Sequence, residues 1–417
     1  MKSLHKIILF ALLPLMGACS GMLDIEPHSA VSPTVVGSDD IKALRIGMYN
    51  KVQEGPTYYS YIAFDLFGGE LMTSTGRPSD LINSLSNALH TFVSSQWNGY
   101  YKALLQVNNV MSIAEGLADS PSRNRVLGEC RYFRAYIYLC LVTRFGDVPV
   151  LRQNTQAKVS RDPASMAWEL VEEDLDAASG YYVSPAAVTA LKARVKLYLG
   201  KKGEAKELAE SLITNPNYAL DDFDKIFRSK ANKEVIFAFS CLTEDGSSIK
   251  ISNQFYSYNH PNKGSYNYRP AGDVMTMYAD NDLRKEVSIT TLDNLNFVNK
   301  YPSGQTGSDP VVISRLAEMY LISAEAQGLN GGLDRLNELR EKRGLDRVSP
   351  GNEADFLDAV LQERRLEFLA EGFRWYDLVR TGKATQTLGT KDYQCLMPLP
   401  SRELLYNPNL KPNNPGY

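Results

Sequence analysis

Two segments of the chain read as pairs of helices joined by a short turn, and they constrain the fold more than any other feature. In residues 184–216 the first helix carries small side chains beside large ones, and residues 314–344 repeat this arrangement. The residues concerned are Ala190, Ala193, Leu197 and Tyr198 in the first segment, and Ala317, Tyr320, Leu321 and Ala324 in the second. Small residues opposite large ones let two antiparallel helices pack closely.

This hairpin pattern resembles the tetratricopeptide repeat, a helical hairpin that stacks on its neighbours into a superhelix. Most of the remaining sequence also has helical periodicity, including a final helical pair in residues 352–382. We therefore predict a mostly α-helical fold, in which a tetratricopeptide-like superhelix of hairpins carries an irregular, loop-rich lobe and a few short strands.

Two segments lack the helical period and are predicted to form the irregular lobe. Residues 231–310 begin with a predicted strand, EVIFAFS, and continue through an aromatic, turn-rich stretch. Residues 55–80 are similar in kind. Both are expected to be loop-rich insertions among the helices.

The amino terminus has the pattern of a secretory signal peptide. Lys2 and Lys6 precede a short apolar run, and small residues lead into Cys19. The residues before the cysteine, LMGA, resemble a lipobox, the signal for bacterial lipoprotein processing. That resemblance implies removal of residues 1–18, acyl chains on Cys19 and a mature protein anchored to a membrane without crossing it.

Charge and motif content argue against several classes of function. The formal net charge is −3, and loss of Lys2 and Lys6 makes the mature chain more acidic, which argues against a nucleic-acid partner. No HExxH metal motif, GxSxG nucleophile elbow or phosphate-binding loop is present. We expect no catalytic residues, no metal site and no cofactor.

A glutamate series on one predicted helix is the strongest catalytic-looking cluster. Glu363, Glu367 and Glu371 recur every four residues, as a carboxylate cluster for acid–base chemistry would require. We favour the structural interpretation, in which these glutamates pair with Arg364, Arg365 and Arg374.

The cysteine content does not indicate a disulfide framework. Cys130 and Cys140 are separated by about 15 Å of helix rise, too far for a disulfide. Pairing of Cys241 with Cys395 is left open by the sequence.

Two carboxy-proximal stretches are the most specific motifs of the chain: ERRLEFLAEGFRWYDLVRTGKA and the ending MPLPSRELLYNPNLKPNNPGY. Four earlier stretches accompany them: CSGMLDIEP, LGECRYFRAYIYLCLVTRFGDVPV, MYADNDLRK and VISRLAEMYLISAEA. Together, and in the expected order, they closely resemble the signatures of the SusD/RagB-like family of outer-membrane nutrient-binding lipoproteins of the Bacteroidota.

The resemblance implies a non-catalytic protein on the cell surface, lipid-anchored in the outer membrane and facing the exterior. Such a protein would bind oligosaccharide and deliver it to a TonB-dependent SusC-like transporter. A peptide-binding member of the same family and a repeat adaptor that binds only protein are the alternatives; a glycoside hydrolase is a more distant one.

The ligand face is expected where aromatic and planar polar side chains occur together, since sugar rings pack on aromatic faces and hydroxyls need hydrogen-bonding partners. The predicted insertions supply this mixture, and Trp97 is the tryptophan we expect to face a ligand. The candidates are Tyr58, Tyr59, Tyr61, Asp65, Arg77, Trp97, Tyr256, Tyr258, Asn259, Tyr266, Tyr268 and Arg269.

Overall fold

The computed structural model describes residues 40–75, 85–228, 231–241 and 249–417. The predicted signal peptide, Cys19 and Arg77 lie outside these ranges. The α-helices are α1 Ile41–Glu54, α2 Thr57–Phe67, α3 Thr91–Glu115, α4 Pro121–Phe145, α5 Ala164–Asp176, α6 Pro185–Tyr198, α7 Lys202–Ile213, α8 Phe223–Arg228, α9 Lys285–Ser288, α10 Leu316–Gln327, α11 Leu329–Lys342, α12 Glu353–Glu367, α13 Arg374–Arg380, α14 Ala384–Leu388 and α15 Ser401–Tyr406.

The two predicted hairpins are confirmed as α6–α7 and α10–α11, and α10 also packs against α7 and α12. Ala317, Leu321 and Ala324 are fully buried in the core between the later helices. Gly332 on α11 shows how close the packing is, because a Cβ there would lie 2.0 Å from the carbonyl oxygen of Ala324. The chain therefore has the tetratricopeptide-like helical architecture that its sequence predicts.

Short antiparallel strand pairs, rather than one sheet, hold the irregular lobe together. The strands are β1 Leu71–Thr73, β2 Val235–Phe239, β3 Tyr268–Pro270, β4 Ile289–Leu292, β5 Leu295–Val298 and β6 Val311–Arg315. They pair as β1–β3, β2–β6 and β4–β5. The β1–β3 pair, with Thr73 opposite Tyr268, joins the two segments that were predicted to be insertions.

The prediction of irregular structure across residues 55–80 is wrong for α2. Residues Ser60 to Phe67 of this helix are buried without interruption. A helix that is enclosed on all sides has apolar residues on all sides, so its sequence shows no amphipathic period. The prediction failed because it depended on that period.

The glutamate series is structural, but its partners are not the arginines predicted from its own helix. Glu367 is fully buried and lies within 2.9 Å of guanidinium nitrogens of Arg284, Arg315 and Arg343. These arginines come from the segment before α9, the end of β6 and the turn after α11. The network therefore fastens the irregular lobe to the helical scaffold.

The three arginines predicted as partners of the glutamates bind elsewhere. Arg364 pairs with Asp377, and Arg365 pairs with Asp273 and lies 3.4 Å from Glu70. Arg374 lies 3.5 Å from the carbonyl oxygen of Leu361. Helical spacing therefore predicted correctly that the glutamates form ion pairs with arginines, but it predicted the wrong arginines.

The structure also bears on the cysteines and on membrane spanning. Cys395 is a free thiol, so it does not form a disulfide with Cys241, and Cys130 and Cys140 are free thiols as well. No helix in the described ranges is long and apolar enough to cross a membrane.

Candidate aromatic binding site

A tight turn in the irregular lobe presents Tyr258 to solvent. The backbone N–H of His260 donates to the carbonyl oxygen of Ser257 at 3.1 Å, which places Tyr258 and Asn259 at the two central positions of a β-turn. Tyr258 is 73% exposed, and Asn259 is also exposed. An aromatic ring this exposed is available to a ligand.

The β4–β5 hairpin lies across from this turn. Its two-residue loop, Asp293-Asn294, has φ values of 50° and 60°, as a type I′ turn requires. Leu292 and Leu295 pair directly beside the loop and are each 39% exposed. The hairpin thus presents two apolar side chains and one carboxylate at its tip.

The turn and the hairpin together enclose a cavity of about 300 Å³. Its lining residues are Ser257, Tyr258, Asn259, His260, Leu292, Asp293, Leu295 and Phe297. This volume is at the small end of the range for ligand pockets, and an apolar lining with a few polar groups is typical of them.

Buried aromatic rings form the base of the site. Phe297 lies between His260, with ring centroids 4.8 Å apart, and Tyr266, with centroids 5.2 Å apart. Tyr256 stacks on His260 at 4.4 Å, and its hydroxyl donates to Asn299 Oδ1 at 2.9 Å. These contacts join the four rings into one packed cluster.

Tyr266 has a backbone conformation that bulky residues rarely adopt. The φ of Tyr266 is 49°, and two hydrogen bonds hold the residue in this conformation. The backbone N–H donates to the carbonyl oxygen of Tyr256 at 2.9 Å, and the side-chain hydroxyl donates to the carbonyl oxygen of Asn296 at 3.1 Å. Backbone strain of this kind clusters at functional sites. Tyr266 thereby ties the segment after the turn to β5.

A second group of tyrosines joins the two predicted segments. Tyr58 and Tyr59 on α2 have ring centroids 4.4 Å apart, and Tyr268 on β3 lies 6.5 Å from Tyr58. Burial, followed by the hydrogen bond to Tyr59, raises the pKa of the Tyr58 phenol. Tyr58 and Tyr59 remain partly exposed, whereas Tyr268 is buried.

Besides Tyr268, four candidates predicted from sequence lie in the protein interior. The hydroxyl of Tyr61 donates to the carbonyl oxygen of Gln53 at 2.5 Å, and Trp97 packs edge-on against Phe145. Tyr256 belongs to the buried base described above. Burial and the neighbouring Glu70 raise the pKa of Asp65.

The carboxylate of Asp65 is fully used in hydrogen bonds within the scaffold. Its two carboxylate oxygens accept the backbone N–H groups of Ala370 and Gly372 at 2.8 and 2.9 Å. Arg269 differs from the interior residues: it is partly exposed, and its side chain makes no hydrogen bond or ion pair with any described residue. Within the described ranges, no group of three or more His, Cys, Asp or Glu side chains is placed to hold a metal ion.

Sequence reasoning missed three polar residues of the cavity, Ser257, His260 and Asp293. Asp293 could have been found, since Asp-Asn between Thr-Leu and Leu-Asn-Phe is typical of a two-residue hairpin loop. His260 had no comparable signal, because only the fold brings it to the hairpin.

The described residues thus form a tetratricopeptide-like scaffold whose irregular lobe carries an open aromatic cavity. Two family models match the chain: one described as the SusD family, over residues 293–395, and one described as starch-binding associating with outer membrane, over residues 22–188. These two matches support assignment of the chain to the SusD/RagB-like family.

Individual relatives match almost the whole chain. SusD-like protein P38 of Formosa agariphila is 25% identical over 97% of each chain. Surface glycan-binding protein A from Bacteroides fluxus has a TM-score of 0.78 and 21% identity, over 92% of this chain and 100% of that protein. A laminarin binding SusD-like protein has a TM-score of 0.76 and 22% identity, over 91% and 100%. At these identities the solved structures support the fold.

Proposed function

We propose that this protein is a non-catalytic, lipid-anchored protein of the outer-membrane surface that binds oligosaccharide and delivers it to a TonB-dependent SusC-like transporter. The observation that carries the proposal is Tyr258, an exposed ring beside a cavity that also contains hydrogen-bonding side chains. A sugar ring needs both features. Assignment to the SusD/RagB-like family and the glycan-binding names of two structural relatives support it.

Within the proposed site, Tyr258 and Asn259 contact the ligand directly. Tyr266 and Tyr256 hold the turn and the hairpin in place from below. Tyr58 and Tyr59 remain candidates for a flanking contact, since both are partly exposed and pack beside the strand that leads from Tyr266. Tyr61, Asp65, Trp97, Tyr256 and Tyr268 are left out of direct contact because they are buried.

Tyr258→Ala is expected to weaken oligosaccharide binding more than tenfold, or by about 1.4 kcal/mol. The reason is the loss of the stacking face, while the melting temperature should stay unchanged because the ring is already exposed. A glycan array would identify the ligand, and calorimetry would measure its affinity for both proteins. Tyr406→Ala is the matched control, since Tyr406 is 57% exposed and lies away from the cavity. Equal loss in both variants, or none in Tyr258→Ala, would contradict the proposed site.

Cys19→Ala is expected to release the protein from the membrane while leaving it folded. The reason is that the proposed anchor is covalent lipid, and two or more acyl chains give the firm attachment that one chain does not. Fractionation of cells that lack the partner transporter would measure the release, and circular dichroism of the released protein would show that it is folded. Continued association with outer membranes in those cells would count against the lipid anchor.

A further inference from the structure

The charge of the cavity beside Tyr258 has a direct consequence for the ligand. Asp293 is the one ionisable carboxylate among the lining residues, and no lysine or arginine lines the cavity with it. Lys263 and Arg269, two cations of the same lobe, are not among the lining residues. Asp293 also makes no ion pair with any described residue. The cavity therefore carries an uncompensated negative charge.

His260 adds a hydrogen-bond donor without adding a positive charge. The side chain is 9% exposed, and burial lowers its pKa below the usual value of 6.5, so the ring is neutral at neutral pH. Its Nδ1 accepts the backbone N–H of Asn262 at 3.1 Å, which leaves the ring proton on Nε2. Nε2 has no hydrogen-bond partner among the described residues. An unpaired ring N–H beside a cavity is suited to bind a ligand.

We infer that the cavity selects uncharged or amino-substituted sugars and rejects sulfated or uronic acid sugars, with Asp293 as the residue that discriminates. Hydroxyl and ammonium groups can donate to the Asp293 carboxylate, and ring or hydroxyl oxygens can accept from His260 Nε2. An anionic substituent in the same space meets a like charge that no cation offsets. This inference rests on the proposed glycan-binding function of the same site.

The test uses Asp293→Asn, which removes the charge and keeps both the size and the turn. Asparagine adopts positive φ at least as readily as aspartate, so the type I′ loop is retained. Asp346→Asn is the matched control, because it makes the same change of net charge at an exposed position in the loop after α11.

The probes are neutral, amino-substituted, sulfated and uronic acid oligosaccharides of matched backbone, presented on an array and then titrated by calorimetry. The wild type should bind the neutral or amino members at least tenfold more tightly than their acidic counterparts. Asp293→Asn should reduce this ratio about tenfold, and Asp346→Asn should leave it unchanged. A wild type that prefers acidic members, or a ratio that Asp293→Asn does not alter, would overturn the inference while leaving glycan binding intact. Failure to bind any member would instead contradict the proposed function.

Discussion

Glu367→Gln is expected to lower the free energy of unfolding by about 3–5 kcal/mol, because it leaves buried arginines without their shared counter-charge. The carboxylate contacts Arg284, Arg315 and Arg343, and all four side chains are at most 1% exposed. Burial alone would raise the pKa of Glu367, but Arg343, Arg315 and Arg284 together hold it well below its usual value. Urea unfolding monitored by circular dichroism would measure the loss.

The pH dependence provides a second test of the same network. A lowered pKa in the folded state means that the ionised carboxylate contributes stability above its unfolded pKa of about 4.5. That contribution is lost as the pH falls through the lower folded pKa. The difference in stability between wild type and Glu367→Gln should therefore be constant near neutral pH and shrink below about pH 4.5.

Two outcomes would refute this account of Glu367. Glu207→Gln, at an exposed position of α7, is the control and should change stability by less than about 0.5 kcal/mol. A loss at Glu367 as small as the control, or a difference that grows in acid, would show that the buried charges do not hold the lobe to the scaffold.

Trp375→Ala is expected to cost about 3–5 kcal/mol of folding stability, as removal of a large buried aromatic does. Trp375 lies on α13, is 2% exposed, and packs against Phe67 of α2 with ring centroids 5.5 Å apart. Its loss would leave a cavity between the carboxy-terminal motif and α2. Thermal and urea unfolding would measure the effect.

Trp168→Ala is the matched control for Trp375→Ala, since Trp168 is only partly buried and a smaller loss is expected there. Any effect of Trp375→Ala on ligand affinity should disappear once the folded fraction is taken into account. A stable Trp375→Ala protein that no longer binds ligand would instead place Trp375 in the binding site.

The helical scaffold was largely predictable because its packing rules are local. The small and large residues of α6 and α10 lie on one helix face, and their spacing in the sequence follows from the helical period. α2 was not predicted because its residues from Ser60 to Phe67 are buried without interruption, which leaves no amphipathic period in the sequence. The partners of Glu367 could not be predicted for another reason. Arg284, Arg315 and Arg343 are distant from one another in sequence and meet only in the folded chain.

The candidate site was predictable by segment and only partly by residue. The aromatic and polar composition of residues 256–269 indicated the segment that contains the turn, and Tyr258 and Asn259 are exposed in it. Composition does not distinguish an exposed tyrosine from one that supports it, so Tyr256 and Tyr258 were predicted alike although one is buried and the other exposed. The distinction depends on which positions of the turn point outward, and only the hydrogen bond from His260 to Ser257 defines them.

The central claim is that the Tyr258 cavity is where this protein holds its glycan. A crystal structure of the protein with the oligosaccharide identified on an array would test this most directly. We predict a sugar ring stacked on Tyr258, within hydrogen-bond distance of Asn259 or Asp293, with Trp97 and Asp65 still buried. An oligosaccharide bound elsewhere on the protein, with the cavity between the turn and the β4–β5 hairpin empty, would contradict the account.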